Sequence, residues 1–242
     1  MLVLAIDTSN RAMSVALVRD QTVLGETTIN VRKTHSESLM PAVAQLFKST
    51  SLLPAAVDRF VVAQGPGSYT GIRIAVTTAK TFAWTLHKEL VGISSLAALA
   101  ANVTTSAGLI IPVFNARRDA AFTGAYRWQN GELVSVLADR HTPMASWLAE
   151  LATQTAPLQF IGDDVESFRP QITAKLGQQA QFVSGIDNLP HASKLALLGQ
   201  TAQPVANIHR FAPNYLRITE AEANWLKQHP TNEGHEPYVE EI

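Results

Sequence analysis

The chain has 242 residues, 46% of them hydrophobic and 16% charged, which is enough to build one large domain or two medium-sized ones. Its 19 basic and 20 acidic residues nearly cancel, which argues against a protein that binds nucleic acid unaided. The chain has no cysteine, which excludes disulfide bonds and thiolate catalysis and fits a reducing compartment.

The start of the chain contains three predicted strands followed by a helix. LVLAID (2–7) is continuously apolar, as expected of a strand buried on both faces. RAMSVALV (11–18) and TVLGETTINV (22–31) follow as antiparallel neighbours. The pattern Thr34-x-x-Glu37 then predicts a capping box at the start of a helix that contains Pro41.

The same order of elements is predicted twice. DRFVVAQ (58–64) indicates a parallel strand, and a helix runs from Thr70 to about His87. Three strands, a helix, a strand and a helix make a ribonuclease-H-like unit. The second half offers strands at 109–116, 120–128 and 132–138, a helix near 144–153, a strand at 158–162 and a helix around 192–202.

This order predicts an N-terminal lobe over 1–105 and a C-terminal lobe over 106–212. A C-terminal helix at about 213–228 is expected to pack back on the first lobe, and 229–242 to be a disordered tail. The chain has neither a charged n-region before its apolar start nor an apolar run of membrane-spanning length. We therefore expect no signal peptide and no membrane span, and a cytoplasmic location.

The stretch VVAQGPGSYTGI (61–72) places a glycine-rich turn between a strand and a helix, where many proteins bind phosphate. The spacing fits neither a P-loop nor a dinucleotide fingerprint. Gly65, Pro66 and Gly67 are therefore interpreted as a structural turn that needs a positive φ at a glycine. Gly-x-Ser-x-Gly, the pattern of a serine nucleophile, is also not met at Ser68.

Two further stretches are candidates for polar sites. Asp7-Thr8-Ser9-Asn10 follows the first strand, where actin-like ATPases and sugar kinases bind phosphate, but without their glycines. Asp7 either holds a magnesium-bound water or stabilises the turn. Arg117-Arg118-Asp119 faces an anion or RNA backbone, or forms a salt-bridged hairpin turn.

The histidines predict no metal site. No two of them stand four apart on a predicted helix, so the usual zinc-binding patterns are absent. His35 is interpreted as a solvated residue at a helix start.

Several motifs in chain order resemble the TsaB (YeaZ) family, the dimerisation subunits of the bacterial tRNA threonylcarbamoyladenosine complex. They are LAIDTS, THSESLMP, GPGSYTGIRI, FNARRDAAFTGAY and PNYLR, and they span residues 4 to 217. The resemblance implies an α/β chain with the actin-like ATPase (ASKHA) fold, made of two ribonuclease-H-like lobes. It also implies a pseudo-enzyme without a catalytic residue, cofactor or metal of its own.

The resemblance further implies a task and partners. The complex transfers a threonylcarbamoyl group to N6 of the adenosine beside the anticodon, in tRNAs that read codons beginning with A. A TsaB-like subunit supports the catalytic paralogue TsaD, with the ATPase TsaE, and reaches tRNA indirectly through the complex. In isolation we expect a homodimer.

Helix periodicity and the resemblance together predict a partner interface. Small residues on the second helix either let a partner helix approach closely or pack inside their own domain. The resemblance favours the partner for Leu39, Met40, Val43, Phe47, Gly71, Ile72, Ala75 and Ala79.

A degenerate nucleotide cleft is expected at Asp7, Thr8, Ser9, Asn115 and Arg117. Asn115 stands where many relatives have aspartate, which weakens the case for catalysis. The alternatives to a non-catalytic subunit are an active sugar-kinase-like ATP phosphotransferase and a glycoprotease-like metallopeptidase.

Overall fold

The computed structural model of the chain describes residues 1–31 and 34–217. The strands in this part of the chain are β1 (Leu2–Asp7), β2 (Met13–Arg19), β3 (Thr22–Ile29), β4 (Arg59–Gly65), β5 (Glu89–Ser94), β6 (Leu109–Asn115), β7 (Ala120–Gln129), β8 (Glu132–Pro143), β9 (Leu158–Ile161) and β10 (Ala180–Phe182). The α-helices are α1 (His35–Thr50), α2 (Tyr69–Thr85), α3 (Ser95–Ala100), α4 (Met144–Leu151), α5 (Val165–Leu176) and α6 (Ala192–Thr201). None of the helices in the described ranges is long and apolar enough to cross a membrane.

The strands form two five-stranded sheets with one plan. The first has the order β3-β2-β1-β4-β5, with β1 antiparallel to β2 and parallel to β4. The second has the order β10-β9-β6-β7-β8, with β6 antiparallel to β7 and parallel to β9. Read from its other edge, the second sheet repeats the first. The predicted α/β class with two ribonuclease-H-like units is confirmed.

The continuous apolar run of β1 reflects helices on both faces of the first sheet. Successive side chains of a strand point to opposite faces. Leu4 and Ile6 lie in the core that α1 and α2 cover, whereas Val3 and Ala5 lie in the core that α6 covers. Because both faces are buried, no polar alternation marks this strand.

The position of α6 corrects the sequence-based assignment, which gave the helix near 192–202 to the second lobe. α6 packs against β1, β2 and β4 of the first sheet. Ala192 and Ala196 are fully buried there, and Gly199 lies so close to β4 that a Cβ atom would come within 2.4 Å of the Val61 side chain. Small residues on α6 permit this close approach, and periodicity alone does not reveal which sheet receives it.

Other elements also depart from expectation. Thr34 precedes α1, but its side chain makes no capping hydrogen bond, so the predicted capping box does not form. Its carbonyl accepts the Glu37 N–H at 3.1 Å instead. The sequence analysis also missed four short or weakly patterned elements, which are β5, α3, α5 and β10.

The predicted domain limits are only partly visible. The predicted boundary at 105/106 lies between the last strand of the first sheet and the first strand of the second. The division of the chain into two lobes at this boundary stays a prediction. Residues 213–217 are not helical, so a helix does not begin at 213. The remainder of that predicted helix and the predicted tail, 229–242, lie outside the described residues.

The polar contacts between the lobes include side-chain hydrogen bonds from Asn10 and Ser94. Asn10, after β1, donates a hydrogen bond from Nδ2 to Asp164 Oδ2 at 3.0 Å, just before α5. Ser94, which ends β5, donates to Asp139 Oδ2 of β8 at 2.5 Å, and the Tyr126 hydroxyl of β7 donates to the other oxygen. Burial raises the pKa values of both Asp139 and Tyr126. These contacts fix the relative position of the two sheets around the cleft described next.

Candidate functional site: the cleft between the sheets

A cleft of about 530 Å³ lies where the turns after β1, β4 and β6 meet the segment that ends at residue 217. Its lining is formed by Ser9, Asn10, Gly67, Ser68, Tyr69, Thr70, Ile72, Phe114, Asn115, Ala116, Arg117, Arg118, Phe122, Asn214, Tyr215, Leu216 and Arg217. In the described part of the chain this lining contains three arginines and neither an acidic residue nor a histidine. The charged side chains among these lining residues are therefore all cationic, although the whole chain carries a net charge of −1.

The floor of the cleft is made by two backbone turns in direct contact. Gly65 has φ +114°, and its peptide bond to Pro66 is cis. A Cβ atom on Gly67 would lie 2.2 Å from the Ser9 carbonyl oxygen, and one on Gly71 would lie 2.0 Å from that of Thr8. These glycines therefore let the two turns pack together, which supports the interpretation of 65–67 as a structural turn.

Hydrogen bonds hold the two turns in place. The Ser68 N–H donates to the Ser9 carbonyl at 2.7 Å, and the Thr8 hydroxyl donates to the Gly71 carbonyl at 2.7 Å. Thr8 is fully buried by these contacts and does not line the cleft. Its predicted place among the cleft residues is therefore wrong.

Asp7 is also buried beneath the floor, with 2% of its surface exposed, and does not line the cleft. Its Oδ1 accepts the Ser9 N–H at 2.8 Å, which is the turn-stabilising role that the sequence left open. Burial raises the pKa of Asp7, while hydrogen bonds from Ser9 and the charge of His35 act in the opposite direction. Within the described ranges no cluster of acidic and histidine side chains that could hold a metal ion is found.

His35 differs from the sequence interpretation. Its Nε2 lies 2.8 Å from the Asn10 carbonyl oxygen, and the side chain is only partly exposed. It therefore links the start of α1 to the turn after β1 instead of being freely solvated.

The opposite wall is organised by Asp164, which sequence analysis did not single out. Asp164 Oδ2 accepts the Asn115 N–H at 3.0 Å in addition to the bond from Asn10. The Asn115 side chain accepts the Arg117 N–H at 2.8 Å and donates to Ser167 Oγ at 3.2 Å. Asn115 therefore shapes the turn that carries Arg117. The Asp164 carboxylate that accepts its N–H also accepts the hydrogen bond from Asn10 of the other lobe.

The turn after β6 has an uncommon backbone. Arg117, Arg118 and Asp119 have φ values of +66°, +53° and +54°. Left-handed conformation in consecutive non-glycine residues is energetically unfavourable and is found mostly where a site needs it. The turn places Arg117 and Arg118 on the rim of the cleft, and Arg217 donates from Nη1 to the Ala116 carbonyl at 2.9 Å beside them.

Of the five predicted cleft residues, Ser9, Asn115 and Arg117 line the cleft. The sequence analysis missed Tyr69, Tyr215 and Arg217 as site residues, although they lie within the GPGSYTGIRI and PNYLR motifs. Among the residues that the structure describes, the cleft lining offers cationic and hydrogen-bonding groups but no acid or histidine side chain. It is suited to binding an anion, and its lining lacks the usual side chains of a general base.

The predicted partner interface is largely buried in the chain's own core. Leu39, Val43, Phe47, Gly71, Ile72, Ala75 and Ala79 are buried, and of the predicted set only Met40 is exposed, at 46%. The small residues of α2 pack against β4 and β1, so this helix uses its small face inside its own lobe. The prediction that these seven side chains contact a partner is therefore wrong.

The outward faces of α1 and α2 carry different residues. Met40 and Lys48 are exposed on α1, while Thr77, Thr81 and Trp84 are exposed on α2, with Trp84 at 58%. Both helices cover the same core of the first sheet. We call their outward faces together the α1–α2 surface.

A shallow hollow of about 320 Å³ lies beside this surface, lined by Thr77, Lys80, Thr81, Trp84, Ile208 and His209. Lys80 holds the incoming loop by donating from Nζ to the carbonyls of His209 and Phe211, at 3.0 and 2.7 Å.

Comparison with known proteins identifies the family. A family model described as TsaD, tRNA N6-adenosine threonylcarbamoyltransferase, matches residues 22–225. The chain is 41% identical over 227 residues to the tRNA threonylcarbamoyladenosine biosynthesis protein TsaB of Bacillus subtilis, covering 94% of this chain and 99% of that one. The chain belongs to the TsaB (YeaZ) family.

Solved structures agree with this assignment. YeaZ from Pseudomonas aeruginosa superposes with a TM-score of 0.75 at 26% identity, over 89% of this chain and 99% of that one. A second match is an activator of 2-hydroxyisocaproyl-CoA dehydratase from Clostridium difficile with bound ADPNP. It superposes with a TM-score of 0.50 at 12% identity, over 82% of this chain and 94% of that one. At this identity the match supports a shared fold and no shared function. The predicted TsaB membership and actin-like ATPase fold are confirmed, and the chain is a member of a family of tRNA threonylcarbamoyladenosine biosynthesis proteins.

Proposed function

We propose that the chain is a non-catalytic subunit required for N6-threonylcarbamoylation of tRNA, which acts in the cytoplasm by binding and stabilising the catalytic paralogue TsaD. TsaE joins the same assembly. The observation that carries the proposal is the cleft itself. Its floor is closed by contact between two backbone turns, and Asp7 is buried beneath it. Within the described residues the lining has no acid or histidine to take a proton.

A reconstituted transfer reaction tests the proposal. It contains TsaD, TsaE, threonylcarbamoyl-adenylate, ATP and tRNA, with or without the chain. We expect modified tRNA only when the chain is present, and none from the chain alone. Product formed at the same rate without the chain would show that the proposal is wrong.

An Asp7→Asn variant sharpens this test. The amide oxygen of asparagine still accepts the Ser9 N–H, so the turn is kept while the carboxylate is lost. We expect the variant to support TsaD as well as the parent does. ATP hydrolysis by the isolated chain that disappears in Asp7→Asn would instead favour the sugar-kinase-like phosphotransferase.

The α1–α2 surface is our candidate for contact with TsaD, and in isolation for contact between two copies of the chain. Met40 and Trp84 are large apolar side chains exposed on adjacent helices of this surface. Buried aromatic and apolar anchors supply most of the free energy at protein interfaces. The surface also explains how α1 and α2 can serve a partner while their inner faces pack in the lobe.

Met40→Asp and Trp84→Asp each place a charge on this surface without entering the core. We expect each to weaken TsaD binding at least about tenfold in calorimetry and to shift the isolated chain towards monomer in sedimentation. Leu53→Asp is the matched control, because Leu53 is 73% exposed but lies in the turn after α1. If the control and the two surface variants weaken binding equally, the partner binds elsewhere.

A further inference from the structure

Two tyrosines stack at the mouth of the cleft. Tyr69 is the first residue of α2, and Tyr215 lies in the segment that closes the cleft from the other side. Their ring centroids are 4.6 Å apart with 25° between the planes, and the residues remain 44% and 39% exposed. Tyrosines that were needed only for the core would be buried, whereas this pair presents ring surface at the entrance of a cleft whose charged lining residues are cationic.

One arginine accompanies the tyrosine pair on α2, and another lines the cleft. Arg73 is exposed and follows Tyr69 by four residues on α2, so it lies on the same helical face. Burial raises the pKa of Tyr215, and the charge of Arg73 opposes that rise, which places the guanidinium within electrostatic reach of the pair. Arg117 is also exposed and lines the cleft.

No carboxylate on the cleft lining neutralises this charge in the described ranges. The nearby carboxylate of Asp164 accepts hydrogen bonds from Asn10 and Asn115. Neither Arg73 nor Arg117 makes a side-chain hydrogen bond or ion pair to another described residue. Aromatic faces flanked by cations are the combination with which proteins bind unpaired nucleotides, because bases stack on the rings and phosphates approach the cations.

We infer that the mouth of the cleft binds an unpaired stretch of RNA, with a base stacked on the Tyr69–Tyr215 pair and the flanking phosphates at Arg73 and Arg117. This inference rests on the proposed function, which brings the chain close to a tRNA loop. It differs from the expectation that tRNA is reached only through the other subunits. A strand that passes over the rim can contact both arginines, whereas a small ligand is more often enclosed by its pocket.

Fluorescence anisotropy of the full chain with a labelled RNA hairpin tests the inference. The hairpin carries a single-stranded loop, and a perfect duplex of similar length serves as the reference RNA. We expect Tyr69→Ala to weaken hairpin binding about fivefold or more, and Tyr69→Phe to retain it, since phenylalanine keeps the stacking ring. Arg117→Ala should reduce the slope of log affinity against log salt by about 0.7, the value for one phosphate contact on a single strand.

Arg19→Ala is the matched control. Arg19 is an exposed arginine that pairs with Leu2 at the end of the first sheet remote from the cleft, since the cleft follows Asp7 at the other end of β1. We expect this variant to bind like the parent.

Three results would overturn the inference: equal affinities for Tyr69→Ala and Tyr69→Phe, equal affinities for the duplex and the hairpin, or displacement of the RNA by equimolar ATP, which would mark a free-nucleotide site. The transfer reaction separates the two proposals. If the chain supports TsaD in the transfer reaction but the substitutions leave its RNA affinity unchanged, the proposed function stands and only this inference is wrong. If the chain fails to support TsaD but Tyr69→Ala weakens RNA binding, the RNA site stands and the proposed function is wrong.

Discussion

Arg59 is the residue whose removal should destabilise the first lobe most specifically. It begins β4, is 7% exposed, and its Nη1 donates to the carbonyls of Gly199, Gln200 and Ala202 at 2.8, 2.9 and 3.0 Å. These carbonyls end α6, where no further helical turn supplies N–H donors. A cation at this position also interacts favourably with the helix dipole. Its Nε donates to Glu89 Oε2 at 2.8 Å.

The geometry sets the size of the effect. The Glu89 side chain is 49% exposed, so the ion pair should contribute only about 1 kcal/mol or less. Hydrogen bonds from a charged donor contribute about 1.5–3 kcal/mol each, but three bonds from one nitrogen do not add fully. We therefore expect Arg59→Ala to lower the free energy of unfolding by about 3–4 kcal/mol. For a chain of this length that corresponds to a fall in Tm of roughly 10 °C.

Urea unfolding followed by circular dichroism measures this difference, and Glu89→Gln is the matched variant. Glu89→Gln removes the ion pair and leaves the three carbonyl bonds, so its loss should be about 1 kcal/mol or less. If Arg59→Ala costs no more than Glu89→Gln, the bonds to the end of α6 contribute nothing and the reasoning fails.

Two other predictions concern the turns and the pH dependence of stability. Gly67→Ala should lower the free energy of unfolding in urea by about 3 kcal/mol, because its Cβ would lie 2.2 Å from the Ser9 carbonyl oxygen. Gly131→Ala is the control, since Gly131 has a positive φ but no atom within 4 Å of the added Cβ, and it should lower the free energy of unfolding by about 1 kcal/mol. Equal losses of stability in the two variants would exclude the contact with Ser9 as the cause. The carboxylate of Glu26, whose Oε2 lies 3.7 Å from His191 Nδ1, raises the pKa of His191. This group's contribution to stability is therefore complete below pH 6.5 and is lost as pH rises through the raised pKa. Burial alone would raise the pKa of Glu26, but the nearby His191 and the hydrogen bonds from Ser193 lower it. Its contribution to stability therefore holds above pH 4.5 and is lost as pH falls through the lowered pKa. In His191→Gln the free energy of unfolding should depend less on pH on the alkaline side than it does in the parent. An unchanged pH dependence would contradict this prediction.

The sequence predicted those elements whose apolar pattern is long and bounded. β1 and β4 are continuous apolar runs, and α2 has a helical period over 17 residues. β5 and α3 were missed because ELVGIS and SLAALA adjoin without a turn signal between them. α5 was missed because Pro170 lies inside it and its pattern is weak.

Periodicity identified apolar helix faces correctly but not what covers them. Leu39 and Ala75 lie on faces that the pattern marks as apolar, and both are covered by their own sheet. The same limit applies to α6, whose small residues fit β4 of the first sheet. An amphipathic pattern states that a face is buried, whereas the identity of the opposing surface depends on contacts between residues far apart in sequence.

The cleft shows the same limit for polar residues. Ser9 and Arg117 were predicted because each follows a predicted strand, and Asn115 because many relatives have aspartate there; all three line the cleft. Asp164 was missed although it bonds to Asn10, because 154 residues separate the two and neither carries a recognisable motif. Tyr215 was missed because its significance depends on stacking with Tyr69.

The floor and rim of the cleft differ in what they can bind. A phosphate-binding turn keeps glycines so that an anion can approach backbone N–H groups. Here the space above Gly67 and Gly71 is occupied by the carbonyl oxygens of Ser9 and Thr8, which carry partial negative charge and would repel a phosphate. Arg117 and Arg217, in contrast, place cationic residues on the lining of the cleft. An anion is therefore less favoured at the floor of the cleft than beside these arginines, which agrees with our proposal that the chain is a non-catalytic subunit.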